Sequence, residues 1–96
     1  MNVRNISFGV MKNIKNMSML EIKNKIIEEH EELQNEIRLP EDLQIKENIL
    51  AEAFDLMQVT YTLIRKVLEK TEYIDLEILE ANMKHIEKLK KRGYIE

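Results

Sequence analysis

The chain has no cysteine and no tryptophan, one proline and two glycines. Without cysteine there can be no disulfides and no thiolate metal sites, and a reducing, intracellular setting is expected. So little glycine and proline leaves few places to turn, which favours long helices over a many-stranded sheet. Aromatic residues make up only 5 % of the chain, and runs of valine and threonine are missing, which again disfavours strands. No apolar run approaches the roughly 20 residues needed to cross a bilayer, so no membrane partner is expected. The first residues lack the apolar core of a signal peptide, and a cytoplasmic location follows as the expectation. The net charge of −3 lacks the positive excess of a nucleic-acid binder, so no nucleic-acid polymer is expected as partner.

What is present is a chain of 96 residues, 44 % hydrophobic and 34 % charged. That length argues for one domain over 1–96, divided into an N-terminal segment, 1–17, and a helical core, 18–93. A core of this size is modest, and burial against another subunit would help it. Ile6, Val10, Ile14 and Met17 have helical spacing and predict a short helix over about 5–16, with Gly9 as its weak point. Ser18 followed by Glu21 has the form of a capping box and predicts a long helix over 19–38, ended by Pro40. A second long helix is expected from residue 41 or 42 to about 69. A third is expected over about 74–92, after a break at 71–73, with Gly93 as its stop. The fold class is therefore all-α: a helical bundle of three long helices plus a short N-terminal helix, completed by oligomerisation.

The second helix carries the most informative stretch. Residues 49–64 hold only two charges, Glu52 and Asp55, among apolar neighbours that cover most of the helix circumference. A helix apolar nearly all round is central in its bundle or lies at a subunit interface. Removing a carboxylate from water is expensive unless something pairs with it, and positions i and i+3 share a face. The first helix carries a matching pair, Glu29 and Glu32. If the two helices pack antiparallel, four carboxylates face one small space. Hard divalent cations, Mg2+ with Mn2+ as substitute, relieve that repulsion through oxygen ligands. The spacing alone is unspecific, because Glu28 and Glu31, Glu69 and Glu72, Glu72 and Asp75, and Glu77 and Glu80 repeat it. A solvated helix face explains most such pairs. For Glu52 and Asp55 the plain alternative is a buried salt bridge with Lys25 or an arginine.

The run Glu28-Glu29-x-x-Glu32, then nineteen residues, then Glu52-x-x-Asp55 resembles the motif pair of the MazG-like family. That family belongs to the all-α nucleoside triphosphate pyrophosphohydrolases, with dimeric dUTPases and phosphoribosyl-ATP pyrophosphohydrolases as relatives. Leu33 after the first pair and the apolar run after Asp55 fit as well, and the resemblance covers about 20–94. It implies that Glu29, Glu32, Glu52 and Asp55 are magnesium ligands and that Glu28 is a supporting carboxylate that orients water. It also implies a nucleoside triphosphate substrate cleaved between the α and β phosphates, a homodimer or homotetramer, and a bacterial or phage origin. His30, Glu31 and Ala51 depart from the family pattern, which bears on substrate choice.

Lys84, His85, Lys88, Lys90, Lys91 and Arg92 crowd the end of the third helix. Cations there complement the helix dipole and solubilise the surface. The resemblance gives them a further role, with Lys88 the first choice for a catalytic phosphate contact, then Lys91 or Arg92. His30, at i+1 from Glu29, points away from the acids. Tyr61, Tyr73 and Tyr94 read as packing residues before base-stacking ones. Two other function classes stand beside the hydrolase: a non-catalytic helical module that binds a nucleotide or a protein, and an enzyme of the phosphoribosyl-ATP kind.

Overall fold

A computed structural model describes residues 7–96. Three α-helices make up most of it: α1, Met19–Ile37; α2, Lys46–Val67; and α3, Ile74–Lys91. There is no strand among the described residues, so the all-α class holds. The described residues fall into two compact units, one running to Lys66 and the other Val67–Glu96. No helix among the described residues is long and apolar enough to cross a membrane.

Local chemistry fixes the start of α1. Ser18 is extended, and its Oγ accepts the backbone N–H of Glu21 at 3.1 Å, satisfying one orphan donor of the first turn. The other end is closed by a longer reach. Gln44 Nε2 donates to the carbonyls of Ile37 and Leu39, at 3.1 and 3.0 Å. This explains a departure from the sequence reading, which starts the second helix at 41 or 42. Residues Glu41–Leu43 form only a 3-10 turn after Pro40, Gln44 is extended, and α2 begins at Lys46. Gln44 is spent on capping α1, and the extended backbone that this requires delays the next helix. The end of α2 also falls slightly short of 69, at Val67.

The N-terminal segment is the larger correction. Residues 5 and 6 of the expected helix lie outside the described residues. Over 7–13 there is no α-helix, and only Ile14–Asn16 coils, as a 3-10 turn. Besides the short turn bonds within 11–17, its carbonyls take donors from side chains of α2. Gln58 Nε2 donates to the carbonyl of Gly9 at 2.8 Å, and Lys66 Nζ donates to those of Ile14 and Lys15 at 3.2 and 3.3 Å. Phe8 packs on Tyr61, with ring centroids 5.8 Å apart. Side chains one and two turns apart on α2 thus hold an irregular strap, and glycine makes helix the weaker alternative there.

In the first unit the buried apolar residues among those described are Met17 and Ile22, and full burial of a side chain such as Ile22 is worth about 1.5–3 kcal/mol. Thr62 is buried too, its hydroxyl donating to the carbonyl of Gln58 at 2.9 Å. The stretch expected to be the most buried is not buried within the single chain: Leu50, Phe54, Met57 and Ile64 are 40–50 % exposed.

In the second unit, α3 matches the expected span. Arg92 caps it and Gly93, at φ 72°, reverses the chain. Gly93 N–H donates to Lys90 and Tyr94 N–H to Leu89, at 3.1 and 2.9 Å. These are the paired bonds of a Schellman stop, which needs a residue at ease with positive φ. Leu76, Leu79, Met83 and Ile86 line one face of α3 at helical spacing, and all are exposed.

Candidate metal centre

The clasped turn between α1 and α2 folds them into a hairpin, and the acidic residues report its direction. Glu29 feels Asp55, while Glu52 feels Glu32 and Glu36. Rising numbers on one helix therefore meet falling numbers on the other, so the pair is antiparallel. This places the i+3 pairs of both helices on facing surfaces.

At the seam, ligand oxygens of Glu29, Glu52 and Asp55 lie within 4.8 Å of one another. Glu29 and Glu52 are half-buried and Asp55 is exposed. Glu32, the fourth expected ligand, stands beside the triad and not in it. Its carboxyl lies close enough to those of Glu29 and Glu52 to disfavour the charge on both. Loss of hydration, then Glu32, Asp55 and Glu28, push Glu29 above the ordinary carboxylate range. Glu52 is raised by loss of hydration, then by its hydrogen bond to Glu32 and the charges of Glu32, Asp55 and Glu36. Both causes penalise the charged form, by desolvation and by like charge.

The salt-bridge alternative does not account for the buried atoms. Lys25 lines a cleft with Glu29 and Asp55. Yet Oε2 of Glu29, of Glu36 and of Glu52 are sealed from solvent without a hydrogen-bonding partner. Buried oxygens without partners in a native fold call for an explanation, and a bound ion is one of a short list.

The donor set fits a hard cation. All three ligands are carboxylate oxygens, the type that magnesium and manganese prefer. Opposite ligands of magnesium stand about 4.2 Å apart, twice its bond length of about 2.1 Å. The observed limit of 4.8 Å is slightly wider than that span.

Glu28 is exposed on α1 and adds its charge to the field at Glu29. His30 lies on the solvent face, where Gln34 Nε2 meets its Nε2 at 3.4 Å and Arg38 donates to Gln34 Oε1 at 3.1 Å. Lys88, Lys91 and Arg92 line a separate cleft at the end of α3 with Lys84 and Glu87. They belong to the second unit, and the acids belong to the first. Sequence reasoning missed Glu36. It sits seven residues after Glu29, two helical turns along the same face, and that spacing could have found it. It also missed the cleft beside the acids, for which the sequence carries no signal, because Met11 and Met17 reach it through the irregular strap.

Comparison of the chain with models of known families, with curated proteins and with solved structures finds no match.

Proposed function

We propose that the chain is a magnesium-dependent nucleoside triphosphate pyrophosphohydrolase that yields a nucleoside monophosphate and pyrophosphate. One observation carries this reading: three carboxylates from two helices converge, and two of them keep buried oxygens with no partner. The likeness of the two acidic motifs to the MazG-like family supplies the reaction class. Glu29, Glu52 and Asp55 would hold the metal, and Glu32, whose carboxyl stands beside those of Glu29 and Glu52, would join them. A magnesium ion bound there would neutralise substrate phosphates and activate water. Glu28 orients the attacking water and accepts its proton. Water adds to phosphorus at the α–β anhydride, the bridging P–O bond breaks, and pyrophosphate leaves. Lys88, with Lys91 or Arg92, offsets charge on the phosphates.

We also propose that the chain acts as a homodimer or homotetramer in the cytoplasm of a bacterium or of a phage-infected cell. Leu50, Phe54, Met57 and Ile64 on α2, with Leu76, Leu79, Met83 and Ile86 on α3, form apolar stripes left in solvent by one chain. Contiguous apolar surface of this kind marks an association face. The same exposure favours a second reading, a helical module that binds a partner without catalysis.

The test is pyrophosphate release from a panel of standard and modified nucleoside triphosphates, with magnesium and with chelator. Magnesium-dependent release supports the hydrolase. No release from any of them, with metal binding intact, leaves the binding module.

A further inference from the structure

The strap over 7–17 has no part in the proposed reaction, yet it closes one side of the acidic centre. A cleft of about 250 Å3 lies between the strap and the α1–α2 hairpin, and Glu29 and Asp55 line it together with Met11 and Met17 of the strap. Met17 is 6 % exposed and Ile22, on the same cleft, is fully buried, so the strap brings apolar surface against the acids. Lys25 lines the cleft as well, yet Oε2 of Glu29 stays sealed from solvent without a hydrogen-bonding partner. The docked strap therefore takes water from a carboxylate oxygen that no side chain satisfies. Charge removed from water without a partner is costly, and that cost opposes docking.

The strap is fastened to the helix that carries Glu52 and Asp55. Gln58, which donates to the carbonyl of Gly9 at 2.8 Å, follows Asp55 by three positions and so shares its face of α2. Gln58 also lines the cleft. Phe8 rests on Tyr61 one turn further along, with ring centroids 5.8 Å apart. The bonds to Gly9 and Lys15 lie at the surface, where water competes for the same carbonyls. An irregular segment held by contacts of this kind opens locally, at far less cost than the whole fold. A cation held by Glu29, Glu52 and Asp55 reverses the balance. It supplies the missing countercharge, and its attraction to the carboxylates is stronger where water is excluded.

We propose that the strap is a cation-responsive latch: a divalent cation between Glu29, Glu52 and Asp55 holds it down on α2, and loss of the cation releases it from the cleft. Strap docking and cation binding then favour each other by one and the same factor. This rests on the metal reading of the acids and is independent of any nucleotide. Gln58 and Phe8 set how firmly the strap docks, and the acids make that docking depend on the ion. The cleft is enclosed when the ion is present, so water leaves the acids in the same step that loads them.

Amide hydrogen exchange in the full chain, followed by NMR with and without Mg2+ at constant ionic strength, reads the latch without turnover. The amides of Ile14, Asn16 and Met17, bonded to the carbonyls of Met11, Asn13 and Ile14, report the strap. Those of Leu43 and Gln44, bonded within the turn after Pro40, report general tightening of the same unit. Saturating Mg2+ should slow the strap amides about fivefold or more, the lower end of typical coupling between sites, and leave Leu43 and Gln44 unchanged. Phe8→Ala combined with Gln58→Met removes two fastenings and touches no acid. The strap amides should then exchange faster without metal, and calorimetry should show Mg2+ binding weakened by no more than the same factor. Val10→Ala, at a strap position 50 % exposed, should change neither. Bound Mg2+ with unslowed strap amides would overturn the latch and spare the metal centre. Equal slowing at Leu43 and Gln44 would also sink it, because the effect would belong to the whole unit. So would a double variant whose strap exchanges like an unstructured chain while its Mg2+ affinity is unchanged. No Mg2+ binding at all would remove both the latch and the metal centre.

Discussion

Glu52 and Asp55 in the first unit, and Glu77 and Glu80 in the second, are the same feature at the level of spacing: two acids one helical turn apart. Their fates differ. Glu52 is half-buried, has a sealed oxygen, and meets Glu32 across a helix seam. Glu77 and Glu80 are exposed on α3. A helix presents a pair of charges, and only a second helix facing it turns the pair into a site. The facing helix is set by the clasp of Gln44 on the end of α1.

The sharpest way to break this comparison is to remove one acid from each pair. Asp55→Ala and Glu52→Gln should each lower magnesium-dependent turnover at least ~100-fold, beyond the ~10–100-fold typical of groups that only support a ligand. Calorimetry should show lost metal affinity. Without metal, Asp55→Ala should raise the thermal midpoint, because a repelling charge is gone. Glu77→Gln and Glu80→Gln should change neither quantity. Equal metal binding by wild type and Asp55→Ala would remove these residues from the centre.

Next in size is the effect of charging the apolar stripes. Phe54→Glu and Met83→Glu place a charge within faces that a single chain leaves in solvent. Light scattering should show an oligomer for the wild type at micromolar concentration and a smaller species for at least one variant. A monomeric wild type would show that the stripes serve another partner.

A smaller, kinetic effect separates the readings of the basic cluster. Lys84 lines the same cleft as Lys88, so it is a poor control, whereas Lys90 lies outside that cleft on the same helix. Lys88→Ala should reduce turnover or weaken substrate binding about tenfold, in keeping with one charge-assisted contact. Lys90→Ala should cost only about 0.3–1 kcal/mol of stability through the helix dipole. Matching kinetics for the two variants would assign the whole cluster to the dipole.

The least effect is on stability against pH. Glu29 and Glu52 hold protons more tightly in the folded chain than in the unfolded one. Their contribution is full below the ordinary carboxylate range and is lost as pH rises through the raised values. The metal-free thermal midpoint should therefore fall as pH rises from the ordinary carboxylate range towards neutrality. Glu52→Gln should flatten that slope, and saturating magnesium should remove it. A midpoint that rises over the same interval would show that the fold does not raise these two carboxyls.

Much of the fold was legible because its signals are local. The Ser18–Glu21 spacing, the Pro40 stop and the Gly93 reversal act within a few residues, and all three stand where the sequence reading put them. Of the four expected ligands, Glu29, Glu52 and Asp55 converge, and Glu32 lies against two of them. What escaped was decided by partners distant in sequence. Residues 7–17 have helical spacing, but Gln58, Tyr61 and Lys66 offer better partners than another helical turn would. The start of α2 shifted because Gln44 caps another helix.

The sequence by itself determined three helices, most of their ends, and the presence of two acidic pairs, because caps, breakers and periodicity act over a single turn. Only the tertiary structure decided which pairs meet, which oxygens lose their water, and that a strap leaning on α2 walls a cleft beside the acids. Those are matters of distance between residues twenty to fifty apart, and the energy of a buried carboxylate depends on what packs against it and not on its neighbours in the chain.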